Sequence, residues 1–132
     1  RWLASLGYEA HLIDPVSKHL EQAREASASQ PDHPLASVSE GDARSLSWHD
    51  ESVDLVLLMG PLYHLLARED RLAALSEARR VLRNGGILIA TGVNRYASLM
   101  DGLMDGYIDD PDFMTILYRD LSDGRHLPNS HA

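Results

Sequence analysis

The stretch VDLVLLMGP, residues 53–61, decides the fold of this chain. Apart from Asp54, every residue before the final Gly60-Pro61 is apolar. A short apolar run bounded by turn residues is typical of a parallel strand that is covered on both faces. The sequence therefore predicts a buried strand over 53–59, and a parallel sheet around it.

Helices and strands alternate on both sides of this strand. Downstream, an apolar stripe predicts a helix over 68–83, and the run NGG at 84–86 is expected to stop it before a buried strand over 87–93. The other predicted elements are the end of a helix at 1–6 capped by Gly7, strands at 9–14 and 35–39, a helix at 15–29, two short helices near 96–107 and 111–122, and a loose tail.

This alternation predicts an α/β fold, with a mostly parallel sheet, right-handed crossovers and flanking helices. Residues 1–94 are interpreted as a partial cofactor-binding domain, and residues 95–132 as a helical segment on the substrate side. In such sheets, ligands bind at the carboxyl ends of the strands. The candidate positions are therefore Asp14, Asp42, Met59-Gly60 and residues 91–94, which all lie just past predicted strand ends.

Composition excludes several classes of partner. The chain of 132 residues carries a net charge of −8, from 20 acids and 12 Lys and Arg. This balance argues against a sequence-independent grip on nucleic acid and against binding to an anionic membrane. The sequence has no run of membrane-span length and no signal-peptide pattern. It contains no cysteine, so the cytoplasm is the expected location.

The seven histidines do not predict a metal site. None of them forms an i, i+4 pair or another ligand spacing, and no thiolate is present to join them. We therefore expect no metal cofactor.

Four motifs together resemble the class I S-adenosylmethionine-dependent methyltransferases, a large Rossmann-like family. They are LIDP at 12–15, GDA at 41–43, DLVLLMGPLYHL at 54–65 and RVLRNGGILIAT at 80–91. The resemblance covers about residues 1–93. It implies S-adenosylmethionine as the cofactor and a methyl acceptor as the substrate.

On the adenosine side, the resemblance assigns roles to two acids and their neighbours. Asp14 matches the acid that accepts hydrogen bonds from the ribose hydroxyls, and Pro15 lies where adenosine would pack. Asp42 matches the acid near the adenine amine, with a backbone donor from Ala43 and with Arg44 beside it. Asp14 before Pro15 also suits a helix N-cap, so the two roles share one residue.

On the methyl-transfer side, Met59 and Gly60 match the segment that passes near the methionine moiety. Tyr63 and His64 are the candidate catalytic residues, because either side chain could take a proton from the methyl acceptor. The alternative is that Tyr63 packs and that His64 makes only a local hydrogen bond. Residues 94–95 are weaker candidates for contact with the substrate.

The chain departs from the family pattern at both ends. The glycine-rich loop of the family would lie upstream of Arg1, and the first strand and the C-terminal antiparallel strands are also missing. We therefore expect an incomplete sheet, in which one parallel pair has no bridge to the other. Exposed strand edges would then favour a homodimer.

The leading hypothesis is a methyltransferase that acts on a small molecule. One alternative is an NAD(P)-dependent oxidoreductase of Rossmann type, since an acid after the second strand also binds an NAD ribose. Another is that the chain, without the glycine loop, binds no cofactor and is inactive by itself.

Overall fold

Two separate pairs of parallel strands form the β-structure of the computed structural model, which describes residues 1–124. Strand β1 (His11–Asp14) pairs with β2 (Ser37–Glu40), and β3 (Val53–Leu58) pairs with β4 (Leu82–Ala90). The predicted α/β class is confirmed. The expectation that the two parallel pairs lack a bridge is also confirmed for the described residues.

The helices lie close to the predicted positions. They are α1 (Trp2–Ser5), α2 (Ser17–Ala28), α3 (Pro61–His64), α4 (Arg68–Val81), α5 (Ala97–Asp105), a 3-10 turn (Tyr107–Asp109) and α6 (Pro111–Asp123). Gly7 follows α1 with a φ of +87°, as a residue just past a helix end often does. The predicted loose tail lies largely outside the described residues.

The start of α2 differs from the prediction. Val16 is the N-cap and Ser17 the first helical residue, so the N-cap role predicted for Asp14 is wrong. Asp14 instead accepts a hydrogen bond from the Val16 N–H on Oδ1, at 2.8 Å. An aspartate that binds the backbone two residues on makes a turn of its own, and this turn delays the helix.

The junction between α4 and β4 also differs. The helix ends at Val81, and Leu82 is already extended, so the NGG run does not stop the helix. Instead, Gly85 and Gly86 lie inside β4 and form an irregularity where the pairing with β3 shifts register. Gly85 has a φ of +82°, and a Cβ on Gly86 would lie 3.0 Å from the Asp54 carbonyl oxygen. Both positions therefore favour glycine.

The strands β3 and β4 are not buried on both faces, and that prediction is wrong. Ile87 is 60% exposed, Ile89 47% and Leu57 42%. Among the described residues, α4 is the helix that packs on both strands, and its buried residues are Ala74, Ala78 and Val81. One helix covers only part of a two-stranded sheet, which leaves the remaining apolar side chains in contact with solvent.

The C-terminal helices pack against each other around a glycine. A Cβ on Gly102 of α5 would lie 2.5 Å from Cε1 of Phe113 on α6. Nearby, the Ser98 hydroxyl donates to the buried carboxylate of Asp120 at 2.7 Å. The proposed domain division at residue 94 stays a prediction.

Candidate functional site

The two predicted adenosine-binding acids follow strands of the same parallel pair. Asp14 is the last residue of β1 and lies opposite Glu40, the last residue of β2. The Gly41 N–H donates to the Asp14 carbonyl oxygen at 3.3 Å, and Asp42 follows directly. Since parallel strands bring their carboxyl ends to one edge, the register places both acids at the same edge of this sheet.

The carboxylate of Asp14 has a neighbour that the sequence analysis did not assign to the site. Nδ1 of His19 lies 3.2 Å from Oδ1 and 3.3 Å from Oδ2, and the Asp14 side chain stays 28% exposed. The first turn of α2 carries His19 back over the strand end. The sequence could have indicated this contact, because a histidine in the first turn of the helix that follows a strand-end acid can reach that acid. Pro15 is exposed beside them.

Asp42 is held by Arg44 through both its backbone and its side chain. Oδ1 accepts the Arg44 backbone N–H at 2.8 Å and Nε at 3.0 Å, while Oδ2 accepts Nε at 3.0 Å and Nη2 at 2.6 Å. These hydrogen bonds lower the pKa of Asp42 to about 2. Ala43 lies half-buried between the two residues. The two-residue spacing brings this ion pair together within one turn.

Arg44 has a second acidic partner. Its Nη1 donates to Oδ1 of Asp70, in the first turn of α4, at 3.0 Å. Hydrogen bonds to the two carboxylates raise the pKa of Arg44 above its usual value. The guanidinium group thus connects the end of the β1–β2 sheet with α4.

Met59 and Gly60 form the turn between β3 and α3. Gly60 has a φ of +148°, which favours glycine, and its carbonyl oxygen accepts the N–H groups of Tyr63 at 3.1 Å and His64 at 3.2 Å. Met59 is 47% exposed. The rings of Tyr63 and His64 contact each other, with centroids 4.7 Å apart. The predicted methyl-transfer residues therefore belong to one compact turn.

A cavity of about 640 Å³ opens beside this turn. Tyr63 lines it, together with Asn94 and Arg95, the two weaker candidates from the sequence. Among the described residues, His64, Asp14 and Asp42 do not line it. The structure thus brings Tyr63 and residues 94–95 together, and it separates them from the acids at the end of the β1–β2 sheet.

Several residues of this cavity were missed by the sequence analysis. Arg71 donates from Nη1 to the carbonyl oxygens of Leu65 and Leu66, both at 2.8 Å, and so fixes the connection between α3 and α4. Asp120 is only 4% exposed. The sequence carried no motif for these positions, because they come from elements far apart in the chain. The other missed polar lining residues are Arg68, Glu69, Ser98 and Asp123.

Within residues 1–124, no group of three or more His, Cys, Asp or Glu side chains is arranged to hold a metal ion. Within the same part of the chain, no helix has the length and apolar character that a membrane span requires.

Comparisons with known proteins agree with this architecture. The model of the methyltransferase domain family matches residues 1–90. A S-adenosylmethionine-dependent methyltransferase structure from Methanosarcina mazei is similar at 32% identity and a TM-score of 0.60, over 65% of this chain and 42% of that one. No protein with a curated description matches the sequence.

Two further solved structures are similar. One, from Pyrococcus horikoshii OT3, has 26% identity and a TM-score of 0.66, over 79% of this chain and 47% of the other. A S-adenosylmethionine-dependent methyltransferase from Thermotoga maritima has 22% identity and a TM-score of 0.51, over 82% of this chain and 52% of its own, and supports the fold alone.

The present chain thus spans about half the length of these solved relatives. The family match, in contrast, covers more than half of the chain itself and includes both strand pairs. The family and the Methanosarcina structure indicate S-adenosylmethionine as the cofactor. The chain belongs to the methyltransferase domain family.

Proposed function

We propose that the protein is a S-adenosylmethionine-dependent methyltransferase that acts on a small molecule. The observation that carries this proposal is the pair of acids, Asp14 and Asp42, at one edge of the parallel β1–β2 pair. Carboxylates at this edge can accept hydrogen bonds from a ribose and from an exocyclic amine. Family membership supports the same assignment.

The surroundings of Asp14 fit a ribose. One backbone N–H and one histidine nitrogen contact its carboxylate, which has room for about four donors in total. The side chain is partly exposed at the sheet edge, so two hydroxyl groups can reach it. Exposed Pro15 next to it offers an apolar surface to the adenosine.

When bound, S-adenosylmethionine supplies an electrophilic methyl group and a thioether leaving group. The work left to this chain is to align the methyl acceptor and to exclude water. We assign this work to the turn from Met59 to His64, and the sharp bend that Gly60 allows at the end of β3 supports the assignment. Tyr63, which lines the cavity, or His64, whose ring contacts that of Tyr63, would take the proton when the acceptor atom carries one.

The cavity beside Tyr63 supports a small acceptor. Its volume of about 640 Å³ lies within the range of small-molecule sites. The net charge of −8 disfavours nucleic acid as a substrate. A cytoplasmic location and a homodimer complete the proposal.

Calorimetric titration tests this function on the protein expressed from its complete coding sequence. We expect binding of S-adenosylhomocysteine, and we expect Asp14→Asn to weaken it about tenfold or more, because a hydrogen bond to a charged acceptor is lost. Asp32→Asn, on an exposed turn, is the matched control. Binding of NADH with none of S-adenosylhomocysteine would overturn the proposal in favour of an oxidoreductase.

A further inference from the structure

The side chain of Arg44 bridges two carboxylates that have different positions relative to the adenosine site. Asp42 lies at the sheet edge, and Asp70 lies at the start of α4. Arg44 is 3.0 Å or less from oxygens of both acids. Two acids thus share one cation.

Most of the carboxylate of Asp42 is occupied in this arrangement. The backbone N–H, Nε and Nη2 of Arg44 take three of its roughly four acceptor positions, and Nε is shared between the two oxygens. An adenine amine that approaches Asp42 therefore competes with the guanidinium group for the same carboxylate.

The side chain of Arg44 can leave Asp42 without disturbing the turn. The backbone is held independently, by the Arg44 N–H on Oδ1 at 2.8 Å and by the Ser45 N–H on the Asp42 carbonyl oxygen at 3.0 Å. The side chains of Arg44, Asp42 and Asp70 are 41%, 45% and 39% exposed, so water replaces lost contacts at little cost. Asp70 already binds Nη1 and would keep the cation paired.

We propose that Arg44 is a positioning residue that competes with the adenine amine for Asp42, and that Asp70 draws Arg44 away when the cofactor binds. Asp70 would then raise the affinity for the cofactor through Arg44, without contacting the cofactor. This inference rests on the proposed function, because it takes Asp42 as the acceptor for the amine.

A double-mutant cycle on binding of S-adenosylhomocysteine tests the competition. Arg44→Met should tighten binding about two- to fivefold, the range expected when an exposed ion pair no longer has to be broken. Asp70→Asn should weaken binding about twofold, because Arg44 then has only Asp42 as a partner. In the Arg44→Met background, Asp70→Asn should have no effect.

Two controls separate competition from a general structural effect. Arg83→Met breaks another exposed Arg–Asp pair, with Asp54 on β3, and should leave the affinity unchanged. S-inosylhomocysteine carries a carbonyl oxygen in place of the amine, so the gain from Arg44→Met should disappear with this ligand.

Weaker or unchanged binding of S-adenosylhomocysteine by Arg44→Met would overturn the inference. So would an Asp70→Asn effect that persists without Arg44. Failure of the unmodified protein to bind S-adenosylhomocysteine would instead overturn the proposed function, so the two failures are distinguishable.

Discussion

At the scale of single residues, Asp14 and Asp42 show how neighbours decide what a carboxylate can accept. Both end or follow strands of one parallel pair. Asp14 keeps acceptor capacity, since one N–H and one imidazole nitrogen contact its carboxylate, whereas Arg44 contacts both oxygens of Asp42. The sequence predicted the positions of the acids, but a salt bridge between residues two apart depends on a side-chain conformation that no motif encodes.

Glu77 on α4 gives a testable dependence of stability on pH. Hydrogen bonds from Arg80 and from the Leu46 N–H lower its pKa from 4.5 to about 2. A carboxyl group whose pKa is lower in the folded than in the unfolded chain stabilises the fold at any pH above its unfolded pKa. This stabilisation is lost as the pH falls from the unfolded pKa towards the folded pKa. Glu77→Gln should therefore be less stable at pH 7 and vary less in its free energy of unfolding between pH 4.5 and 2.

Urea unfolding at several pH values measures this difference. Glu21→Gln, at an exposed position beyond the first turn of α2, is the control and should follow the unmodified protein. The prediction would be contradicted if the free energy of unfolding of Glu77→Gln fell as steeply between pH 4.5 and 2 as that of the unmodified protein.

Gly102→Ala should destabilise the contact between α5 and α6. Alanine favours a helix by about 1 kcal/mol over glycine. Here its Cβ would lie 2.5 Å from a ring carbon of Phe113, and overpacking costs about 1–3 kcal/mol. We expect a lower melting temperature in calorimetry, partly restored by adding Phe113→Leu. Gly92→Ala, at a position with nothing within 4 Å, should be neutral.

At the scale of elements, hydrogen bonds from Arg80 link the loop between β2 and β3 to α4. It donates to the carbonyl oxygens of Leu46 at 2.9 Å and Trp48 at 2.7 Å, and to Oδ1 of Asp50 at 2.7 Å. Arg80→Met should release residues 46–50, and hydrogen–deuterium exchange should be faster there than in the unmodified protein, whereas the N–H groups of Glu51 and Ser52 stay bonded to backbone carbonyl oxygens of α4. Exposed Arg79→Met, one residue away, should leave exchange in the loop unchanged.

The elements themselves were largely predictable, because apolar spacing and turn residues act locally. The junction between α4 and β4 was not. Its helix and strand meet without a loop, and the NGG run matched a helix stop as well as a strand irregularity. Which of the two forms depends on pairing with β3, and sequence spacing carries no information about a partner strand.

At the scale of the whole molecule, exposed apolar side chains on β3 and β4 favour association between copies. Leu57→Lys should reduce this association, because a lysine on β3 adds charge to an apolar surface next to an open strand edge. In light scattering at increasing concentration, the mass of Leu57→Lys should stay closer to the 14.6 kDa of one chain than the mass of the unmodified protein does. Leu72→Lys, equally exposed on α4, is the control. A concentration-independent mass of one chain for the unmodified protein would contradict the predicted dimer.

Fewer of the residues that line the cavity could be identified from the sequence than of the acids at the edge of the β1–β2 sheet. Tyr63 and residues 94–95 follow strand ends, a position that sequence can identify, and they do line it. Its other walls come from the starts of α4 and α5 and from the end of α6, which only tertiary packing brings together.

The irregularity in β4 gives the chain tolerance to changes in length. Val53 pairs with Leu82, whereas Leu55 pairs with Ile87, so the four residues 83–86 on β4 lie opposite the single residue Asp54 on β3. An insertion or deletion within these four residues would alter the size of the bulge and leave the pairs from Leu55 to Leu58 in register. We therefore expect this short segment to tolerate additions and losses that would reverse the faces of a regular strand.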